Sequence, residues 1–269
     1  MESLSFDPMV ELYDETRSVD AACLDAALDY IAARFPSCEY PAVVEPGIGT
    51  GRIAIPLAHR GYRVAGVDIA PEMLAMLAQR LREAGQTLAV TYQQGDATQL
   101  PYADDAFDLA IVCHLFYFIP DWRRAVTEVL RVTRAGGALI LVQSGRGREV
   151  SFLSRRYQEL SGALGYVTRF RGAKSTGEVV EYAEGEGYAA ERLSGRWHWM
   201  SQQRLGEALN YYQRRAYSYT SLPPDEAHRA IMDQLTAEAI AHYGSLDSEI
   251  VSPDEMYLVV LTQKGAARS

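Results

Sequence analysis

The chain has 269 residues, 48% hydrophobic and 23% charged, the profile of a folded globular protein rather than a disordered one. Its formal net charge of −9 argues against nucleic acid as the main partner, because phosphate binding needs a basic face. No run of about eighteen apolar residues suggests a membrane-spanning helix, and the acidic start "MESLSFDPMVELYDE" lacks the basic and apolar regions of a signal peptide.

From Ala42 to about Gln143 the chain alternates β-rich runs with helical patterns. "AVVEP" (42–46) reads as a strand and "GRIAIPLAHRG" (51–61) as a helix closed by Gly61, with a kink expected at Pro56. "YRVAGVDI" (62–69) is a second strand, followed by a helix in "PEMLAMLAQRLREAG" (71–85), with Pro71 at its start and Gly85 past its end. "LAVTYQQGD" (88–96) and "FDLAIVCH" (107–114) are the third and fourth strands, "DWRRAVTEVLRVTRAGG" (121–137) a helix, and "GALILVQS" (137–144) the fifth strand. Such a β-α series implies a parallel sheet covered by helices on both faces.

After Ser144 the rhythm breaks. "EVSFLSRRYQELSGALG" (149–165) and "TGEVVEYAEGEG" (176–187) read as helices, and "AAERLSGRWHWM" (189–200) as a strand. "SQQRLGEALNYYQRRAYS" (201–218) and "PDEAHRAIMDQLTAEAIAHYG" (224–244) read as further helices before a final apolar strand, "EMYLVVLTQK" (255–264). Cys23, Cys38 and Cys113 are odd in number and lack metal-type spacing, which fits a reducing cytoplasm, and the five scattered histidines make a metal site unexpected.

The chemistry concentrates at the tips of the first strands. Gly47, Gly49 and Gly51 follow the first strand directly, where a turn would offer backbone N–H groups and a helix N-terminus to a ligand. A dinucleotide site needs G-x-G-x-x-G, but here the third glycine comes one place early and Arg52 takes its position. Nor does a G-K-S/T follow for a phosphate loop. Glu45, two places before Gly47, suits a ligand with a cationic amine better than a pyrophosphate. Asp68 ends the second strand beside the turn, where it accepts both hydroxyls of a ribose or caps the next helix. Asp96 ends the third strand, placed for the exocyclic amine of a purine or for turn chemistry. Amine, ribose and purine sites with no phosphate partner describe S-adenosylmethionine.

"VVEPGIGTGR", "VAGVDIAPEMLAMLAQR", "GDATQLPYADDAFDLAIVCHLFYFIPD" and "LRVTRAGGALILVQ" resemble the successive motifs of class I S-adenosylmethionine-dependent methyltransferases, over about residues 40–144. The resemblance is to the small-molecule group that includes the ubiquinone and menaquinone enzymes. It implies a doubly wound, Rossmann-like sheet of seven mostly parallel strands with an antiparallel last strand, carrying a helical lid. Glu45, Gly47, Gly49 and Gly51 would then face the methionine part and Asp68 the ribose. Ile69 and Met73 would lie against the adenine ring, with Asp96 and Ala97 on its edge. Cys113 and His114 would end the fourth strand near the methionine amine. "LYDETR" is similar to a piece that precedes the core in relatives, where Tyr13 and Arg17 would close over the cofactor. Pro46 and Ile48 depart from the more usual small or cysteine residues.

The resulting expectation is a single methyltransferase domain over 1–269, with the cofactor core at about 40–144. A helical lid is expected at about 146–187 and 201–254, and final sheet strands at about 189–200 and 255–264. The expected reaction is in-line methyl transfer to a small-molecule acceptor, with an RNA or protein methyltransferase, or a non-catalytic cofactor-binding regulator, as alternatives. His114 is either a general base or a residue that orients the cofactor. Phe116, Tyr117 and Phe118 wall an acceptor pocket or pack the core. The late aromatic and basic stretches, Arg171 and Trp197 among them, line that pocket from the lid or merely dock the helices on the sheet.

Overall fold

The computed structural model describes residues 19–146, 152–167 and 171–265. The fold starts from strands that are apolar on both sides. In β4 (Phe107–Cys113), Leu109 and Ile111 enter one core cluster while Ala110 and Val112 enter another, and all four are fully buried. The same alternation runs through Leu139 to Val142 of β5 (Thr133–Arg146) and Leu258 to Leu261 of β7 (Glu249–Gln263). Strands of this kind need helices on both faces.

With β1 (Ala42–Pro46), β2 (Arg63–Asp68), β3 (Val90–Gln94) and β6 (Tyr188–Arg204), they form one seven-stranded sheet in the order β3-β2-β1-β4-β5-β7-β6. β1 to β5 pair in parallel, whereas β7 runs antiparallel to both its neighbours. This is the doubly wound sheet implied by the sequence motifs.

One face packs against α1 (Ala21–Arg34), α2 (Ala54–His59) and α3 (Pro71–Glu83), through Leu28, Ile31, Leu57 and Leu77. The other packs against α4 (Trp122–Val132) and α6 (Thr176–Gly185), through Val126, Val129, Val179 and Ala183. A third cluster lies off the main sheet core, where α5 (Phe152–Ala163), α7 (Leu205–Gln213) and α8 (Asp225–Tyr243) enclose Tyr157, Leu209, Leu235 and Ile250. Local chemistry explains the helix ends. Asp20 accepts the Cys23 amide at 2.9 Å before α1, Pro71 opens α3, and Gly244 ends α8 at φ +106°.

Several bounds differ from expectation. α2 begins only at Ala54, so Pro56 falls in its first turn, where no amide bond is required and no kink arises. α4 stops at Val132 rather than near 137, and the chain passes directly into β5. Gly137 belongs to the strand because its backbone lies against β4: a Cβ there would sit 2.1 Å from the Asp108 carbonyl oxygen. β6 and β7 outrun the expected 189–200 and 255–264, with Ser201–Arg204 paired to Glu249–Ser252. Residues 201–204 and 249–254, expected in the lid, are therefore sheet. Their polar side chains hide a strand whose backbone is satisfied by its neighbour and one of whose faces alone is covered.

Candidate functional site

β1, β2, β3 and β4 end at the same edge of the sheet, and a cleft with about 670 Å³ of empty space, counted out to open solvent, lies over their tips. The turn after β1 forms its floor. Gly47, Gly49 and Gly51 all have positive φ, +71°, +54° and +81°. Gly51 is also sterically bound to lack a side chain, since a Cβ would come within 2.4 Å of Leu77 Cδ1. At Gly49 a Cβ would meet nothing closer than the Gly47 carbonyl at 3.9 Å, and this residue lines the cleft. A side chain there would occupy ligand space.

The expectation that this turn presents its amides to a ligand requires correction. The amides of Gly47 and Ile48 donate to the Val67 carbonyl at 2.7 and 3.1 Å, and that of Gly51 donates to Ile48 at 3.0 Å. The Gly49 amide donates to Asp68 Oδ2 at 2.8 Å. The turn is thus fastened to β2 by the N–H groups of Gly47, Ile48 and Gly49.

Asp68 does two jobs. Its Oδ1 accepts the Ala70 amide at 2.9 Å at the entry of α3 while Oδ2 holds Gly49, so the carboxylate joins the glycine turn to the helix and also lines the cleft. Asp96 is exposed, lines the cleft, and accepts the Thr98 amide at 2.8 Å in a local turn. Ile69 leaves 37% of its surface uncovered at the cleft, whereas Met73 is buried at 2% and offers only a small part of itself. Ala97 and Cys113 complete the expected set on the cleft wall.

Glu45 does not line the cleft; it lies beneath the glycine turn, 2% exposed. Its Oε2 is buried with no hydrogen-bond partner. Burial pushes its carboxyl well above the usual carboxylate range; Arg52 opposes the shift, nearby Asp68 adds to it, and the Ala54 backbone amide opposes it. Arg52 Nη2 also reaches Cys113 Sγ at 3.4 Å. Burial raises the Cys113 thiol, which therefore stays protonated at neutral pH.

His114 follows β4 directly with φ +52°, a left-handed conformation that a residue with a side chain rarely adopts, and it lines the cleft. The Ser144 backbone amide donates to Nε2 at 2.9 Å, and Ser144 Oγ lies 3.0 Å from the same atom. A nitrogen that accepts an amide carries no proton of its own. Sequence reasoning missed Val67, Gly95, Leu115 and Ile119 on the cleft wall. Their signal was position alone, at strand tips or just past them.

The three aromatics after β4 divide their roles. Phe116 is buried in the core and Phe118 lines the cleft. Tyr117 donates to Gln143 Oε1 at 3.0 Å and lies 2.7 Å from Thr176 Oγ1, which lies 3.0 Å from the Tyr257 hydroxyl. Trp197 is 7% exposed in the main core, edge-on to Tyr30 of α1 at 5.8 Å, and so packs the fold rather than lining a pocket from a lid. Tyr13 and Arg17 lie outside the described residues. Among the described residues there is no group of three His, Cys, Asp or Glu side chains arranged for a metal ion, and no helix long and apolar enough to cross a membrane.

The cleft thus offers a carboxylate at the tip of β2, a second acid at the tip of β3 and an uncovered isoleucine between them, with the buried Glu45 beneath its floor. Residues 44–141 match a family described as "Methyltransferase domain". The chain is 37% identical over 103 residues to the demethylmenaquinone methyltransferase of Thermus thermophilus, covering 38% of this chain and 46% of that one. It is 34% identical over 170 residues to a Mycobacterium bovis protein described as an uncharacterized methyltransferase, covering 63% of each. The crystal structure of the YcgJ protein from Bacillus subtilis shares the fold, with a TM-score of 0.59 and 19% identity, over 89% of this chain and 99% of that one. The chain spans 35–63% of the length of the curated relatives it matches. Over residues 44–141 the chain thus carries a methyltransferase domain, similar to those of the relatives named.

Proposed function

We propose that this protein transfers a methyl group from S-adenosylmethionine to a small-molecule acceptor. The observation that carries the reading is the cleft over the strand tips, where Asp68 fastens the glycine turn to β2 and lines the wall together with Ile69 and Asp96. Acidic acceptors at two strand tips support this reading, because the cofactor carries ribose hydroxyls and an adenine amine as donors. When bound, the cofactor supplies a methyl group on a sulfonium centre, transferable by in-line displacement.

The chain's own residues bind and orient. Asp68 accepts ribose hydroxyls while its backbone contacts hold its rotamer, and Asp96 with Ala97 meets the edge of the adenine. Ile69 and Met73 cover the ring, Glu45 and the three glycines receive the methionine part, and Cys113 closes its far wall. Such a reaction depends chiefly on proximity and alignment, and a base is needed only where the acceptor must lose a proton. His114 serves as an orienting wall in this reading. Its Nε2 is occupied by the Ser144 amide and does not take a proton from an acceptor. Helices α5, α7 and α8 are assigned the task of covering the acceptor and excluding water.

Titration calorimetry tests the first step, with S-adenosylmethionine expected to bind without added metal; no binding would refute the reading. Release of S-adenosylhomocysteine is then followed with separated small-molecule, RNA and protein fractions of a bacterial extract. Turnover with the small-molecule fraction is expected, and turnover confined to RNA or protein would overturn the acceptor class.

A further inference from the structure

The loop that leaves the tip of β3 carries Asp96 and Ala97 into the cleft wall and then runs beside α4 before β4 begins. Ala125, Val126, Val129 and Val132 bury one side of α4 in the core. Arg124, Glu128 and Arg131 recur at helical spacing on another side, and all three reach the loop. Arg124 Nε donates to the Thr98 carbonyl at 3.0 Å, and Glu128 Oε2 accepts the Leu100 amide at 2.8 Å. Arg131 donates to the carbonyls of Leu100 at 3.1 Å and Tyr102 at 2.9 Å, and to Asp104 Oδ1 at 2.7 Å. Glu128 and Arg131 also bond each other through two oxygens, each at 2.8 Å, so neither turns away without breaking a further contact. The link to the cleft is Thr98. Its amide donates to Asp96 Oδ1 at 2.8 Å, the Gln99 amide donates to the Asp96 carbonyl at 3.0 Å, and Arg124 holds the Thr98 carbonyl from outside. The exposed acid of the cleft is therefore fixed by a turn whose outer side is anchored on a helix that contributes none of the cleft's described lining residues.

We propose that Arg124, backed by Glu128 and Arg131, is a positioning residue for cofactor selection: it presets Asp96 through Thr98 and so sets how well the cleft tells an aminopurine from an oxopurine. The proposal rests on the reading of the cleft as an S-adenosylmethionine site with Asp96 at the edge of the base. An exocyclic amine donates to the carboxylate, whereas an oxo group in the same place brings a second acceptor against it. That contrast is sharp only while the carboxylate is held. A slack turn lets Asp96 swing aside, which weakens the bond to the amine and relieves the repulsion of the oxo group together. Binding of the correct base must then also order the acid, a cost that a preset turn avoids. Arg124 isolates this role from folding, because its exposed side chain makes one hydrogen bond to the loop, while Arg131 carries most of the loop's other anchors.

The test is titration calorimetry of S-adenosylhomocysteine and of S-inosylhomocysteine, whose purine carries an oxo group in place of the amine, into the full chain. Wild type, Arg124→Ala, Arg124→Lys and Arg131→Gln are compared, with urea unfolding and amide exchange of each empty protein. Wild type is expected to prefer the adenine compound. Arg124→Ala is expected to lower that preference about two- to tenfold, the cost of ordering one side chain on binding. Its urea midpoint stays near that of wild type, and its Thr98 amide exchanges faster. Arg124→Lys still donates to the Thr98 carbonyl and is expected to recover most of the preference. Arg131→Gln is expected to lose both preference and stability; should it not fold, the Arg124 variants decide alone. An unchanged preference in Arg124→Ala, or an equal loss for both compounds, overturns this proposal and leaves the cofactor reading standing. Equal binding of the two compounds by wild type removes Asp96 from the base edge and the proposal with it. Failure of wild type to bind either compound overturns the cofactor reading itself.

Discussion

Asp68→Asn separates two duties that one carboxylate performs. In the structure each oxygen accepts one backbone amide, Gly49 at 2.8 Å and Ala70 at 2.9 Å. Asparagine keeps the shape but offers one carbonyl oxygen, and its NH₂ turns a donor toward the other amide. A hydrogen bond to a charged acceptor contributes about 1.5–3 kcal/mol, so losing one at this half-buried site lowers unfolding stability by about 1–2 kcal/mol with no cofactor present. The ribose hydroxyls lose a charged acceptor as well, which weakens cofactor binding by about 1–3 kcal/mol, or about 5- to 150-fold. Urea unfolding of the empty protein measures the first quantity and titration calorimetry the second. Unchanged unfolding with weakened binding would show that the two amide contacts contribute nothing net. Weakened unfolding with unchanged binding would remove Asp68 from the cofactor site.

Trp197→Ala empties a fully packed position beside Tyr30 and is expected to cost about 3–5 kcal/mol in unfolding stability, with cofactor affinity of the folded protein unchanged; a selective loss of turnover at normal stability would return this residue to the acceptor pocket. Glu128 is held below the usual carboxylate range by Arg131 Nη2 at 2.8 Å, with the Leu100 amide adding to the effect. A folded-state value below the unfolded one gives stability that is present above about pH 4.5 and lost as pH falls through the folded value. The stability gap between wild type and Glu128→Gln, read from urea midpoints, is therefore expected to shrink between pH 7 and pH 3; a gap independent of pH would refute the ion pair's role.

Much of the cleft was legible because its signals are short-range. A strand-to-turn junction with three glycines, and acids at the next two strand tips, can be read from residues a few places apart, and the structure gathers Asp68, Ile69, Asp96 and Cys113 on one cleft wall. What escaped depends on partners distant in sequence. The amides of the glycine turn look available until Val67 and Asp68 of the neighbouring strand are seen to accept them. "RWHWM" shows that alternate residues are buried, but not that α1 covers Trp197. Likewise "SQQR" has the polarity of a helix start, and only pairing with Glu249–Ser252 makes it strand. The state of Glu45 follows from what fails to reach it, which no local pattern records.

The antiparallel β7, wedged between β5 and β6, also sets a timetable for biosynthesis. Leu139 to Val142 of β5 acquire their outer neighbours, Leu261 to Leu258, only after the whole stretch carrying α5 to α8 has been translated. At ribosomal rates of roughly 5–20 residues per second, that delay is on the order of ten seconds. Throughout it, the nascent chain presents an unpaired apolar strand edge to the cell, the kind of surface on which other chains add strands. Slower elongation over the second half of the message is therefore expected to lower the folded yield, and added chaperone to restore it.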